Sequence, residues 1–219
     1  MAQLNGMVDN APAGSLGFDA DTVISHDCAR DFVGRGYTFC MRYLSLGGER
    51  QRDLTAGEAN DILLAGLALM PVQHVRRDPW LPTPALGESD GCDAADNALL
   101  VGFPANVNVW LDLEGVNCKT ETQDIINYCN SWFDAVAAKN YAPGIYVGAN
   151  CGLNSQQLYL LKFQHYMQSC SSKVPGVQDR GYQIVQTPPQ KLPDGFAFDE
   201  DRTGVDQHGG APQWLIGAA

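Results

Sequence analysis

The feature that most constrains the fold is a regular alternation of short strand signals with helical stretches. Eight segments rich in branched or aromatic residues and bounded by turn-forming residues are predicted to be strands: 16–21, 37–44, 67–75, 106–115, 144–149, 164–169, 181–186 and 203–210. Helical patterns lie between most of them. One helix is predicted to begin at the capping pair Thr55 and Glu58 and to end at Gly66.

This alternation within 219 residues favours an α/β fold, a TIM-like (β/α) barrel. Because about 250 residues is usual for such barrels, some helices must be short or missing. An open doubly wound sheet is the alternative, but the chain has no GxGxxG or GxxxxGK[ST] stretch to mark a nucleotide site. We expect a single barrel domain over 15–219, an N-terminal extension over 1–14, and a long loop over 187–202.

The net charge of the chain limits the classes of macromolecule that it is expected to bind. The formal net charge is -11, and the 14 Lys and Arg residues are scattered, which argues against nucleic acid and against anionic membrane surfaces. No apolar run approaches the roughly 20 residues of a membrane-spanning helix. The first 14 residues lack the basic and apolar regions of a signal peptide. We therefore expect a soluble protein without membrane insertion.

The cysteines and histidines give no sign of a metal site. The seven cysteines include no CxxC pair, and the four histidines show no ligand spacing, so we expect neither a bound metal nor a cofactor. The sequence leaves open whether disulfides form. The candidate pairs are Cys151 with Cys170 and Cys92 with Cys118.

Acidic residues end several predicted strands. Asp112 and Glu114 are two positions apart and therefore share one face of their strand, while Asp19 and Asp206 end two others. Active sites of such barrels lie at the carboxyl ends of the strands, so we expect all four acids at one mouth. Crowded carboxylates raise a pKa and retain a proton, as a general acid requires, and we expect the larger rise for Glu114.

Other interpretations of these polar and aromatic residues stay open. Any single acid at a strand end can instead be a helix cap or a solvated loop residue. Arg42 is either a sugar-binding or carboxylate-pairing residue inside the barrel or a member of a surface ion pair. Tyr146 either bonds an N-acetyl group or packs in the core. Trp80 and Trp110 either stack on sugar or pack in the core, with the core favoured for Trp110.

Several short motifs, taken in order, resemble a known family. They are Gly17-Phe18-Asp19, the DLE of 112–114, the GIYVG of 144–148 and the VDQ that ends at Gln207. Together they resemble the glycoside hydrolase-like barrel domain of the DUF1906 (Rv2525c-like) family, which is similar to the family 25 lysozymes. The likeness runs from about Leu16 to the C-terminus and includes the YQIVQ that ends at Gln186.

The resemblance implies a function and roles for individual residues. The mouth would bind peptidoglycan and cleave the β-1,4 bond between N-acetylmuramic acid and N-acetylglucosamine. Glu114 would donate the proton, Asp112 would assist charge development, and Asp19 and Asp206 would line the sugar subsite. The acetamido group of the substrate would serve as the internal nucleophile. The residues expected to bind substrate are Arg42, Tyr146 and Gln186.

Two classes of function follow from this. The first is a muramidase, such as a phage lysin or an antibacterial toxin, acting as a monomer and delivered to the cell wall without a visible signal peptide. The second is a non-catalytic glycan-binding barrel that has kept the acidic mouth.

Overall fold

The chain forms a closed barrel of eight strands with helices packed on its outside. The computed structural model describes residues 3–48, 52–74, 76–192 and 195–218. The strands are β1 (Gly6–Asn10), β2 (Leu16–Ala20), β3 (Phe39–Leu44), β4 (Ala68–Gln73), β5 (Asn108–Leu113), β6 (Ala142–Val147), β7 (His165–Gln168), β8 (Ile184–Gln186), β9 (Gln190–Lys191), β10 (Ala197–Thr203) and β11 (Gln213–Gly217). The helices are α1 (His26–Gly34), α2 (Ala56–Ala65), α3 (Pro84–Val101), α4 (Thr122–Ala138) and α5 (Ser155–Tyr159).

Seven neighbouring barrel strands are parallel and one is antiparallel. Strands β2 to β8 follow one another in chain order, and the pairing of β4 with β5 continues the ring. Strand β10 closes it by pairing antiparallel with both β8 and β2. The prediction of an α/β barrel with short or missing helices is therefore confirmed.

The eighth strand does not lie where the sequence predicted it. It is β10, Ala197–Thr203, inside the segment predicted to be a loop, while 204–210 contains no strand. Acidic residues are depleted in strands, so the DED of 199–201 concealed the alternation. Phe198 packs in the outer core and Asp201 lies in register with Gly17, which shows that β10 does alternate between the two faces.

The two ends of the chain meet beside the barrel. Strand β1 pairs antiparallel with β11, and β11 pairs with β4 at Leu215 and Leu69. The segment 1–14, predicted to be an extension, thus contains a strand of this sheet. The domain boundary at residue 15 stays a prediction.

Two apolar cores follow from the strand alternation. One fills the barrel and includes the fully buried Trp110. Gly144 leaves room for this indole, because a Cβ there would lie 2.5 Å from the Trp110 ring. The other core lies between the strands and the helices. Trp110 is therefore a core residue, as favoured.

Helix α2 begins and ends as predicted. The Thr55 hydroxyl accepts a hydrogen bond from the Glu58 backbone N–H at 3.2 Å, and Gly66 ends the helix with a φ of 102°. The Glu58 side chain does not complete a capping box. Its carboxylate instead accepts hydrogen bonds from the Ile24 backbone N–H and from Arg42.

The candidate disulfides are not formed. Cys151 and Cys170 are both thiols, and so are Cys92 and Cys118. None of the helices within the described ranges combines the length and the apolar character needed to cross a membrane.

Candidate functional site

Three of the four predicted acids meet at the carboxyl ends of the barrel strands. Asp19 lies near the end of β2, Asp112 lies in β5, and Glu114 directly follows β5. Asp112 is only 5% exposed, whereas Glu114 is partly open to solvent. The charges of Asp19 and Glu114 both raise the pKa of Asp112, so these three carboxyl groups share one environment.

A hydrogen-bond network fixes the Asp19 carboxylate from both sides. Gln186 donates through Nε2 to Asp19 Oδ2 at 2.7 Å, and the Tyr43 hydroxyl donates to Oδ1 at 3.3 Å. Gln186 is itself oriented, because its Oε1 accepts from the Tyr146 hydroxyl at 3.1 Å and from the Cys170 backbone N–H at 3.2 Å. Tyr146 and Gln186, both predicted to bind substrate, therefore lie at the mouth. Tyr43 was not singled out in the sequence.

The position of Glu114 depends on its immediate surroundings. Trp80 donates from Nε1 to the Glu114 backbone oxygen at 2.7 Å, and Gly115 continues the chain with a φ of 64°. Gly148 provides space for the carboxylate, because a Cβ there would lie 2.4 Å from Glu114 Oε2. Trp80 is buried and packs edge-on against Tyr128, so it supports the Glu114 backbone and is not a stacking surface for sugar.

Burial raises the pKa of Asp19, Asp112 and Glu114. The pKa of Asp19 rises to about 7, mainly through burial, although its bond from Gln186 opposes the rise. Burial also raises the pKa of Asp112 well above its ordinary value, and it raises the pKa of Glu114. The larger rise expected for Glu114 stays a prediction.

Two further acids belong to this site and were missed as site residues. Asp199 on β10 lies in register with Asp19, and its charge raises the pKa of both Asp19 and Glu114. Placing β10 correctly would have identified it. Asp78 lies in the loop after β4. After burial, its charge has the largest effect on the pKa of Glu114, which it raises. No pattern in the sequence connects that loop with Glu114.

Asp206 does not lie at this mouth, which corrects its predicted place in the site. Its Oδ2 accepts from Arg180 Nη1 at 2.8 Å and from Gln183 Nε2 at 2.6 Å. Its Oδ1 accepts from the backbone N–H groups of His208 and Gly210. Because Gln183 immediately precedes β8, Asp206 lies at the amino end of the barrel, where it orders a turn.

Arg42 pairs with a carboxylate, as one of the predicted interpretations had it, but it does so outside the barrel and not at the mouth, which corrects its predicted place among the substrate-binding residues. Its side chain is fully buried on the outer side of β3, between the barrel and α2. It forms a 2.6 Å ion pair with Glu58 and donates to the backbone oxygens of Ala20 and Arg52. Its inward-facing neighbours on β3, Met41 and Tyr43, show that the alternation directs Arg42 away from the mouth.

Two clefts open at the mouth, on either side of the acids. The larger has a volume of about 590 Å³ and includes Glu114, Asp78 and Asn150. The smaller, about 220 Å³, includes Asp19, Tyr43 and Asp199. Within the described ranges, no group of three or more His, Cys, Asp or Glu side chains could hold a metal ion. The chemistry that these groups support is proton transfer between carboxyl groups and a bound ligand.

Asp201 is a carboxyl group enclosed in the barrel wall beneath the mouth. It is 0% exposed, and neither of its oxygens has a hydrogen-bond partner among the described residues. Burial first, and then the charges of Asp19 and Asp199, raise its pKa well above the ordinary value. The folded protein therefore holds Asp201 in its neutral form at pH values where the unfolded chain has already lost that proton.

Replacing Asp201 by asparagine is expected to stabilise the protein increasingly as pH rises. From about pH 4, where an unfolded aspartate ionises, unfolding releases the Asp201 proton and the wild-type free energy of unfolding falls by up to about 1.4 kcal/mol per pH unit. The asparagine side chain carries no such proton. Urea unfolding of both proteins from about pH 4 to pH 8 measures the difference. The control is Asp9→Asn, which replaces an exposed acid of β1. A difference in the free energy of unfolding between Asp201→Asn and wild type that does not change with pH would contradict a raised pKa for Asp201.

The comparisons with known proteins agree with this geometry. Residues 30–211 match the family described as Rv2525c-like, glycoside hydrolase-like domain. No curated protein matches the chain.

Solved structures share its fold at low sequence identity. One is the Mycobacterium tuberculosis Tat-secreted protein Rv2525c in complex with L-tartrate, 17% identical, with a TM-score of 0.65 over 88% of this chain and 96% of that one. Another is a lysozyme from Streptomyces coelicolor, 15% identical, with a TM-score of 0.61 over 88% and 93%. A family 25 glycosyl hydrolase from Bacillus anthracis is 11% identical, with a TM-score of 0.58 over 93% and 94%. Since the family match spans well over half of the sequence, the protein belongs to the Rv2525c-like, glycoside hydrolase-like domain family.

Proposed function

We propose that this protein is a muramidase that hydrolyses the β-1,4 bond between N-acetylmuramic acid and N-acetylglucosamine in peptidoglycan. The observation that carries the proposal is Glu114, a cleft-lining acid at the end of a barrel strand whose pKa is raised by burial and by Asp78. A carboxyl group of raised pKa is suited to donate a proton near neutral pH. Membership of a glycoside hydrolase-like family and a lysozyme-like fold support the same conclusion.

In the proposed reaction, Glu114 protonates the glycosidic oxygen while the bond to the anomeric carbon breaks. Asp112 lies two residues earlier on the same face, and its Oδ1 has no hydrogen-bond partner in the described part of the chain. A positive charge that develops on the sugar favours the ionised form of a neighbouring carboxyl group, so we assign Asp112 to that charge, with the acetamido oxygen of the substrate as the internal nucleophile. Water then completes hydrolysis, and Glu114 recovers its proton.

Asp19 and Asp199 are assigned to the sugar subsite in the smaller cleft. Gln186 and Tyr43 hold Asp19 in one orientation, so its carboxylate is preorganised to accept hydrogen bonds from sugar hydroxyl groups. Tyr146 acts through Gln186, to which it donates at 3.1 Å. It is therefore a positioning residue in this scheme.

The substrate lies outside the cytoplasm, so the proposal includes delivery to the cell wall. The similar protein Rv2525c is Tat-secreted, which supports export for this chain as well. A phage lysin and an antibacterial toxin are the two settings that we propose. In either, the barrel would act as a monomer with peptidoglycan as its partner.

Incubation with purified sacculi tests the proposal. The wild-type protein is expected to release soluble fragments and to create new reducing ends, measured by a colorimetric reducing-sugar assay. Sacculi from several wall types should be compared, because wall modifications differ. A protein that sediments with sacculi and creates no reducing ends from any of them would be a glycan-binding barrel, and the muramidase proposal would be wrong.

A further inference from the structure

We infer that the larger cleft binds a carboxylate carried by the glycan, and that Arg76 and Arg77 recognise it. This inference rests on the proposed function and assigns the chemical class of substituent that the Glu114 side of the mouth accepts. The two arginines line the same cleft as Glu114, which has a volume of about 590 Å³.

Arg76 is held in a fixed orientation by a buried acid. Asp90 is 0% exposed, and its carboxylate accepts hydrogen bonds from Arg76 Nε, at 2.9 Å, and from Arg76 Nη2. The Tyr128 hydroxyl also donates to Asp90 at 2.9 Å, which fixes the carboxylate. Arg76 Nη1 has no hydrogen-bond partner within the described residues. A guanidinium whose other nitrogens are already bonded presents this remaining nitrogen at little cost in conformational entropy.

Arg77 provides the cleft with a positive charge that no acid offsets by an ion pair among the described residues. The charge of Arg76 is largely offset by Asp90, and Asp93 also acts on it. Arg77 is exposed, and it forms no ion pair with any residue that the structure describes. Its positive charge is therefore free to act on a ligand in the cleft.

The charge at the mouth explains why an anionic ligand needs these arginines. Asp78, Glu114 and Asp199 crowd this end of the barrel, and the chain as a whole carries a formal net charge of -11. A carboxylate would be repelled from such a mouth unless a local cation compensated. A neutral oligosaccharide would need no such compensation. Two successive arginines beside the proton donor therefore favour a glycan that carries a carboxylate near the scissile bond.

The carboxylate has two possible sources in a wall glycan: the lactyl group of muramic acid, or the peptide attached to it. Three probes separate them: a peptide-free tetrasaccharide of alternating N-acetylglucosamine and N-acetylmuramic acid, its peptide-bearing counterpart, and chitotetraose, which has no carboxylate. Binding is measured by calorimetry with Glu114→Gln as the background, so that turnover does not interfere.

Adding Arg77→Gln to this background is expected to weaken binding of the peptide-free acidic tetrasaccharide about tenfold and to leave chitotetraose binding unchanged. The effect should shrink at high salt, because the contact is partly exposed. Arg77 is replaced in preference to Arg76 because losing Arg76 would leave Asp90 buried without its cation. Lys139→Gln, an exposed cation paired with Asp96 on another surface, is the matched control.

The inference would be overturned by an equal loss of affinity for acidic and neutral glycans, by no loss of affinity for any of the three probes, or by no binding of any probe. A loss confined to the peptide-bearing probe would move the recognised carboxylate to the peptide. The inference and the muramidase proposal fail separately. Cleavage of sacculi by a protein that is indifferent to Arg77→Gln would overturn only the carboxylate site. Arg77-dependent binding without any cleavage would overturn only the hydrolase.

Discussion

Replacing Glu114 by glutamine is expected to lower turnover on sacculi by about 100-fold or more while leaving the fold and glycan binding intact. Glutamine has nearly the same shape and keeps hydrogen-bonding capacity, but it cannot deliver a proton. The space beside Gly148 that accommodates the glutamate also accommodates glutamine. Initial rates of reducing-end release, together with thermal unfolding of each variant, measure the effect.

The matched control for this variant is Glu88→Gln, which removes an exposed acid of α3 at a distance from the mouth. It should behave as wild type. Asp112→Asn should reduce turnover less than Glu114→Gln, because asparagine cannot ionise beside the developing cation but the proton donor stays in place. Equal activity of Glu114→Gln and wild type would remove Glu114 from the role of general acid.

Replacing Arg42 by methionine is expected to lower the free energy of unfolding by about 3–5 kcal/mol. The change leaves the Glu58 carboxylate, whose side chain is 4% exposed, without its 2.6 Å ion-pair partner. The double variant Arg42→Met with Glu58→Met should recover much of that loss, because no unpaired charge stays buried. Urea denaturation measures all three proteins.

The comparison for this pair is Arg35→Met, which breaks an exposed ion pair between Arg35 and Asp31 on α1 and should cost about 1 kcal/mol or less. Since Arg42 lies on the outer side of β3, the double variant should also bind glycan as wild type does. A stable Arg42→Met protein that has lost glycan binding would restore the sugar-binding role and contradict the position described.

The sequence predicts much of the mouth because strand alternation is local. Asp112 and Glu114 share a face in any strand, and the apolar residues around them, such as Trp110 and Leu111, indicate that a strand is present. The same alternation, applied to 39–44, would have directed Arg42 away from Tyr43. The role predicted for Arg42 rested on the chemistry of its side chain and not on its position in the strand.

Other parts of the site depend on tertiary contacts that no local pattern reveals. Strand β10 is built from acids that disfavour strands, and it forms because it pairs with both β8 and β2. Because β10 was not predicted, Asp206 was expected as the fourth acid of the mouth in place of Asp199. Asp78 reaches Glu114 only because the loop after β4 lies against the chain at Gly115, where Trp80 pairs with Val116.

The identity of the sugar at the newly formed reducing ends tests the proposed hydrolysis most directly. Sacculi are digested with the wild-type protein, reduced with borohydride, hydrolysed with acid and examined by mass spectrometry. A muramidase leaves N-acetylmuramic acid at the new reducing end, which borohydride reduction and acid hydrolysis convert into muramitol, and this product should be absent after incubation with Glu114→Gln. Formation of glucosaminitol alone would place the cut at the other glycosidic bond, and the absence of both sugar alcohols would contradict hydrolysis at the acidic mouth.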